Sequence, residues 1–163
     1  NFRLMIHVLF VCLGNICRSP LAEAVFNHLV QQEGLEDKIA CDSAGTSDYH
    51  LGAPPDQRTL DVVEQKKLRL DHVGRQFTSK DFDHFNYIIA MDESNLANIR
   101  RLEETGRSTS YQLFLMREFD DTLAEMNVPD PYWGGDRGFL DVHDIVSRSG
   151  KNLLKHIMKE HQL

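Results

Sequence analysis

The sequence predicts an α/β fold in which a central parallel β-sheet is flanked by helices on both faces, giving three layers. Short apolar runs of strand length alternate along the chain with stretches of helical periodicity. The 163 residues are 41% hydrophobic and 26% charged, which is sufficient for one globular domain with a sizeable core. No internal repeat or low-complexity linker divides the chain. We therefore expect a single domain over residues 1–163.

The first predicted element is a buried strand over Ile6–Val11, which is almost entirely apolar. A helix follows over Leu21–Val30, where strong helix formers carry an apolar face. Ser19 is its expected N-cap, and Pro20 suits the first helical position.

The middle of the chain continues the alternation. Lys38–Ser43 predicts a second strand, and a helix over Thr59–Leu70 is expected to be capped by Asp56. Asn86–Met91 predicts a third buried strand.

The last third predicts a helix that is capped by the stretch Asp92–Asn95 and runs to a stop at Gly106, then a strand over Tyr111–Leu115. Apolar residues from Phe139 to Met158 have the spacing of one long C-terminal helix. Strands that alternate with helices in this way favour parallel pairing.

The loop between the first strand and the first helix has the features of an anion site. Gly14 and Asn15 tolerate unusual backbone angles, and a helix N-terminus directs N–H groups and positive partial charge toward one point. Five residues separate Cys12 from Arg18. The positive field should favour the nucleophilic thiolate of Cys12, toward which Ser19 can donate its hydroxyl. Arg18 offers a planar fork of donors to two phosphate oxygens.

The stretch Cys-Leu-Gly-Asn-Ile-Cys-Arg-Ser-Pro, which follows an apolar strand, resembles the signature loop of the low-molecular-weight protein tyrosine phosphatases. The resemblance implies hydrolysis of phosphotyrosine and small aryl phosphates through a phosphocysteine intermediate, without a cofactor or a metal ion. Cys12 would be the nucleophile, and Arg18 would bind the phosphate and the transition state. The loop residues implied to bind phosphate are Leu13, Gly14, Asn15, Ile16, Cys17 and Ser19.

A second motif lies near the start of the C-terminal helix. Asp130 stands between two prolines and matches the family's Asp-Pro-Tyr motif, whose aspartate is the general acid and base. Tyr132 and Trp133 would line the mouth of the pocket, and Trp133 departs from the residue common in better-known members. The resemblance also assigns Tyr49, in a loop rich in turn residues, to contact with the substrate ring. Because the acid must start protonated, we expect a mildly acidic pH optimum.

Two further residues are implied to support the loop. In the resembling family, a serine at the position of Ser43 and a histidine at that of His72 join Asn15 and Ser19 in a hydrogen-bonded network. Gly74 stands where we expect a residue with a side chain, so the local loop shape is open at that point.

The three cysteines bear on compartment and regulation. An odd number favours a reducing compartment over a disulfide framework, and we expect a cytoplasmic location. In the resembling family, Cys12 and Cys17 can form a reversible disulfide under oxidation; the alternative is that Cys17 is a packed loop residue. Cys41 is interpreted as a core residue.

Composition also limits the partners. The formal net charge of −7 argues against nucleic acid and anionic membranes, and the apolar run from Leu4 to Leu13 is too short to span a bilayer. The resemblance implies phosphotyrosine-containing proteins as partners, phosphate or other oxyanions as inhibitors, and a monomer or weak dimer.

Three alternatives stay open. A protein arginine phosphatase would carry threonine in place of Ile16, and an arsenate reductase would need further cysteines where the chain has Cys41 alone. A phosphate-binding module without turnover would have no use for Asp130, and phosphocarriers lack the equivalent of Arg18.

Overall fold

Four parallel strands form the sheet in the computed structural model of the chain, which describes residues 4–104, 110–122 and 125–163. The strands are β1 (Ile6–Cys12), β2 (Ile39–Gly45), β3 (Tyr87–Ala90) and β4 (Gln112–Leu115). Their order across the sheet is β2-β1-β3-β4, and every pairing is parallel. The predicted parallel sheet is therefore confirmed, with β1 in its interior.

Helices cover both faces of the sheet. They are α1 (Arg18–Gln32), α2 (Gln57–Gln65), α3 (Asp81–His84), α4 (Glu93–Arg100) and α5 (Asp136–His161). Alternate residues of β1 point to opposite sides: Phe10 joins a core cluster with α1, α2 and α5, whereas Leu9 joins one with α3 and α4. Both side chains are fully buried, a burial that contributes roughly 1.5–3 kcal/mol each. The three-layer prediction is thus confirmed.

The start of α1 differs from the prediction. The helix begins at Arg18, with Cys17 at the N-cap position and no capping side chain, so Ser19 lies in the first turn and Pro20 is the third helical residue. The Ser19 hydroxyl is instead directed at the Cys12 sulfur. A tertiary contact has therefore displaced the local capping role.

Helix α2 ends earlier than predicted, at Gln65 rather than Leu70. Lys67 adopts a left-handed conformation with φ of 56°, and the Leu68 N–H donates to the Val63 carbonyl at 2.8 Å. This is the hydrogen bond of a Schellman motif, which usually has glycine at the left-handed position. Leu68 and Leu70 still pack against the core from the following segment.

The remaining differences are short elements and end points. The sequence did not predict α3 or the 3-10 helix over Met116–Phe119. Helix α4 is capped by Asp92 as predicted but ends at Arg100, and the expected stop at Gly106 lies outside the described residues. Among the described residues, no helix combines the length and apolar character needed to cross a membrane.

Candidate active site

The loop between β1 and α1 turns tightly around one point. Asn15 takes up the left-handed conformation, with φ of 58°, and reverses the chain between Cys12 and Arg18. The neighbouring strand makes room for this turn, because a Cβ atom on Gly45 would lie 2.7 Å from the Leu13 carbonyl oxygen. Glycine at this position of β2 therefore allows the loop to pass.

Cys12 lies at the carboxyl end of β1 and is 3% exposed. Its Sγ accepts the Asn15 backbone N–H at 3.3 Å and lies 3.0 Å from the Ser19 Oγ. Ser19 itself accepts an N–H from the Asn15 side chain, and its hydroxyl oxygen lies 3.5 Å from the Ala44 carbonyl oxygen as well as next to the sulfur. The Cys12 sulfur therefore contacts two polar groups of the loop.

Arg18 is held in a fixed orientation from behind the loop. Its Nη1 donates to Asp92 Oδ2 at 2.7 Å and to the Val128 carbonyl at 3.0 Å. Burial alone would lower the pKa of this guanidinium, but Cys12 and Asp92 outweigh burial and the pKa is raised. Arg18 therefore carries a permanent positive charge 3.6 Å from the Asp130 carboxylate.

A network of side chains fixes Asn15 in its left-handed conformation. The Asn15 side-chain amide donates to Ser19 Oγ at 2.9 Å and to Ser43 Oγ at 3.0 Å. Its oxygen accepts the Arg75 backbone N–H at 3.0 Å and lies 2.7 Å from His72 Nε2. The structure thus brings together the four residues that the resemblance placed in a supporting network.

Below this network lies a buried acidic group that the sequence did not single out. Glu23 accepts the Ser43 hydroxyl at 2.7 Å and lies 3.3 Å from His72 Nδ1, while Asp42 pairs with Arg75 at 3.1 Å. Burial raises the pKa of Glu23 to about 7. The atoms of Glu23, Asp42 and His72 that could bind a metal ion lie within 4.8 Å of one another. Each of these side chains, however, already contacts another protein side chain.

The predicted catalytic residues face one cleft of about 150 Å³. Asp130 approaches it from the loop before α5, and its side chain is 38% exposed. The predicted residues that line the cleft are Cys12, Leu13, Gly14, Ile16, Cys17, Arg18, Tyr49, Asp130, Tyr132 and Trp133. Asn15, Ser19, Ser43 and His72 do not line it and lie beneath the loop.

One wall of the cleft is the segment after β2 that contains Tyr49 and His50. Tyr49 lines the cleft and is 72% exposed. Gly74 donates its N–H to the Ala53 carbonyl and accepts the Gly52 N–H, both at 2.8 Å. A Cβ atom on Gly74 would lie 2.2 Å from the His50 carbonyl oxygen. This close approach explains why glycine occupies a position where the sequence led us to expect a side chain.

The other two cysteines are free thiols in different settings. Cys17 lines the cleft, and burial together with the Asp56 carboxylate raises the pKa of its thiol to about 12. Cys41 lies on β2 away from the cleft and contacts the Glu23 carbonyl, and burial raises the pKa of its thiol well above the usual range.

Several contributors to the site were missed by sequence reasoning, among them Asp92, Glu23 and His50. Asp92 was predicted as a helix cap, which it is, but its second oxygen holds Arg18. Its place at the carboxyl end of a strand adjacent to β1 could have indicated that contact. Glu23 lies one helical turn after Ser19, on the same face of α1, and His50 directly follows Tyr49.

Comparison with known proteins decides the family. The model of the family described as low molecular weight phosphotyrosine protein phosphatase matches residues 7–163. This chain belongs to that family. It is 44% identical over 153 residues to the low molecular weight phosphotyrosine protein phosphatase of Schizosaccharomyces pombe, an alignment that covers 93% of this chain and 97% of that protein.

Solved structures agree with the low molecular weight phosphatase fold. A protein tyrosine phosphatase from Entamoeba histolytica, with Hepes in its active site, has a TM-score of 0.89 and 40% identity, covering 97% of this chain and 99% of that one. A Drosophila arginine phosphatase has a TM-score of 0.87 and 34% identity, covering 92% of this chain and 96% of that one. The predicted fold class and family are confirmed.

Proposed function

We propose that this chain is a protein tyrosine phosphatase that hydrolyses phosphotyrosine and small aryl phosphates through a phosphocysteine intermediate. The observation that carries the proposal is that Cys12, Arg18 and Asp130 face one cleft. A nucleophile, a fixed cation and an exposed carboxyl group in one small cleft are the groups that phosphoryl transfer from an ester requires.

In the first step, the Cys12 thiolate attacks phosphorus as the bond from phosphorus to the substrate oxygen breaks. Arg18 and the N–H groups of the loop stabilise the charge on the equatorial oxygens. The Asp130 carboxyl group gives its proton to the leaving phenolate oxygen. The products are a phenol, a phosphocysteine and an ionised Asp130.

In the second step, the ionised Asp130 takes a proton from a water molecule, whose oxygen attacks the phosphocysteine. The bond between sulfur and phosphorus breaks, inorganic phosphate leaves, and Cys12 returns to the thiolate. Asp130 is again protonated, so each turnover consumes one water molecule. Because the first step needs the protonated acid, activity should be greatest at mildly acidic pH.

The walls of the cleft favour an aromatic substrate. Ile16 and Leu13 present apolar surface, and Tyr49, Tyr132 and Trp133 surround the entrance. An aromatic ring can pack against such surfaces, whereas a serine phosphate would leave them in water.

The resemblance to the Drosophila arginine phosphatase makes phosphoarginine the second candidate substrate. Ile16 argues against it, because this side chain lines the cleft and offers no polar group to a guanidinium. The arsenate reductase alternative is disfavoured because Cys41, the one cysteine beyond the loop, lies away from the cleft.

We further propose a cytoplasmic enzyme that acts as a monomer or weak dimer on phosphotyrosine-containing proteins and is inhibited by phosphate and other oxyanions. The free cysteines support a reducing compartment, and the net charge of −7 supports the prediction that nucleic acid and anionic membranes are not partners.

The test is phosphate release from matched phosphotyrosine, phosphoserine and phosphoarginine peptides at mildly acidic pH, with EDTA and a thiol reductant present. We expect release from the phosphotyrosine peptide alone, and its loss in Cys12→Ser. Cys41→Ser is the matched control and should retain activity, because Cys41 does not line the cleft. Preference for phosphoarginine would favour the second candidate, and no release from any peptide would contradict the proposal.

A further inference from the structure

Arg58 lies in the first turn of α2, beside the cleft, and its guanidinium is locked to the residue that caps the helix. Its Nε donates to Asp56 Oδ1 at 3.0 Å and its Nη2 to Asp56 Oδ2 at 3.1 Å. Asp56 also accepts the Arg58 backbone N–H at 2.9 Å. This two-pronged contact fixes the plane of the guanidinium group.

The other donors of the same group reach the loop that carries Asp130. Arg58 Nη2 donates to the Tyr132 carbonyl at 3.0 Å, and Nη1 donates to the Gly134 carbonyl at 2.9 Å. The guanidinium carbon lies 4.5 Å from the centre of the Phe139 ring, the position of a cation–π contact. Arg58 therefore joins the start of α2 to the acid loop and to the first turns of α5.

The acid itself is two residues away from this attachment. The Asp130 carboxylate accepts the Tyr132 N–H at 3.1 Å, and Arg58 donates to the carbonyl oxygen of the same tyrosine. On the other side, the Asp56 N–H donates to the Ile16 carbonyl of the phosphate loop at 2.8 Å. A continuous set of hydrogen bonds thus connects the phosphate loop to the acid loop through Asp56 and Arg58.

We propose that Arg58 is a positioning residue that sets the location of the Asp130 carboxyl group relative to the leaving oxygen of the substrate. This inference rests on the proposed phosphatase function. Arg58 is absent from the lining of the cleft, so it acts through Asp130 and not on the substrate. The guanidinium has four acceptors, which are the two carboxylate oxygens of Asp56 and the carbonyl oxygens of Tyr132 and Gly134. Reaching all four requires a planar fork of donors, which lysine does not have. A displacement of about 1 Å in a catalytic group is sufficient to cost about 100-fold in rate.

The test uses the dependence of kcat/KM on the leaving group. Phenyl phosphate needs a proton at its leaving oxygen, whereas 2,4-dinitrophenyl phosphate releases a stable anion without one. For Arg58→Gln we expect a loss of about 10- to 100-fold on phenyl phosphate and less than about threefold on 2,4-dinitrophenyl phosphate. Arg58→Lys should restore little of this loss. Arg137→Gln is the matched control, because Arg137 is an exposed arginine at the start of α5, and it should resemble the wild type on both substrates.

A double-mutant cycle with Asp130→Asn separates positioning from general damage. If Arg58 acts through Asp130, Arg58→Gln should add almost nothing to the loss already caused by Asp130→Asn. Equal losses on both substrates, or additive losses in the double variant, would overturn the positioning role while leaving the phosphatase function intact. Failure of the wild-type protein to release phosphate from either ester would instead overturn the proposed function, and the role of Arg58 with it.

Discussion

Cys12 and Cys17 belong to the same loop, but their surroundings differ. The Cys12 sulfur accepts the Asn15 N–H and lies 3.0 Å from the Ser19 hydroxyl oxygen. Burial and the Asp56 carboxylate raise the pKa of Cys17 to about 12, so this thiol is protonated at neutral pH. Only a thiolate attacks an oxidised sulfur efficiently. Attack by Cys17 on oxidised Cys12, which would form the disulfide implied by the family resemblance, should therefore be slow at neutral pH.

This difference predicts how peroxide treatment responds to pH. Oxidised Cys12 can either be attacked by Cys17 to form the bridge or be oxidised further to sulfinic acid. Since the thiolate fraction of a group with a raised pKa increases with pH, we expect the ratio of bridge to sulfinic acid to rise between pH 6 and 8. Alkylation after a peroxide pulse, followed by peptide mapping, measures both products.

The control for this experiment is Cys41→Ser, which should leave the ratio unchanged because Cys41 lies away from the cleft. Cys17→Ser should yield sulfinic acid alone. A ratio that does not vary with pH would contradict the prediction, and a complete absence of the bridge would show that Cys17 is a packed loop residue.

At the scale of the elements, the site depends on loops held by backbone pairing. The segment with Tyr49 and His50 is paired to the segment of Gly74 through two hydrogen bonds of 2.8 Å. We expect Gly74→Ala to push this wall outward, because the new Cβ atom would lie 2.2 Å from the His50 carbonyl oxygen. The wall would then contact the substrate ring less well, while the phosphate loop stays in place.

The expected result for Gly74→Ala is a KM for phosphotyrosine peptides raised roughly three- to tenfold, with kcat changed less than about twofold, as for the loss of a binding contact. Steady-state kinetics with wild-type protein and Val73→Ala in parallel provides the comparison. Val73 directly precedes Gly74, but its side chain is 61% exposed, so shortening it should leave this wall unchanged. If KM in Gly74→Ala stays at the wild-type value, the glycine is not needed for the shape of this wall.

The elements that sequence reasoning located correctly have local signals. Asp56 and Asp92 cap α2 and α4 as predicted, because the capping carboxylate and the N–H that it accepts lie within three residues of each other. The end of α2 was missed because Lys67 occupies a left-handed position that carries no glycine signal. Ser19 was placed wrongly as a cap because its hydroxyl contacts the Cys12 sulfur instead.

The same distinction applies to the site. Cys12 and Arg18 belong to one contiguous motif, so the sequence alone was sufficient to propose their roles. The contact between Arg58 and Tyr132 joins residues 74 positions apart, and Glu23 meets His72 only after α1 and β2 have packed. Such contacts depend on tertiary packing, for which a single sequence contains no periodic or capping signal.

At the scale of the whole molecule, the network that shapes the phosphate loop places an acidic group in the interior. Glu23 is a residue of α1 that is 6% exposed, and it accepts the hydroxyl of Ser43 on β2. Burial raises the pKa of this carboxyl group from 4.5 to about 7 in the folded protein. The folded state therefore retains a proton that the unfolded chain releases between these two values.

This linkage predicts that Glu23 makes the protein less stable as pH rises. The stabilisation from its bound proton is fully present below pH 4.5 and is lost as pH rises to about 7, above which it contributes no further change. Between pH 5 and pH 7.5 this loss amounts to roughly 2–3 kcal/mol in the free energy of unfolding. We expect Glu23→Gln to remove that part of the pH dependence, as measured by urea unfolding at both pH values.

Glu33→Gln, at an exposed site on the C-cap of α1, should keep the wild-type dependence. If Glu23→Gln retains the full wild-type decline, the carboxyl group does not hold its proton in the folded state, and the network must be ionised throughout this range.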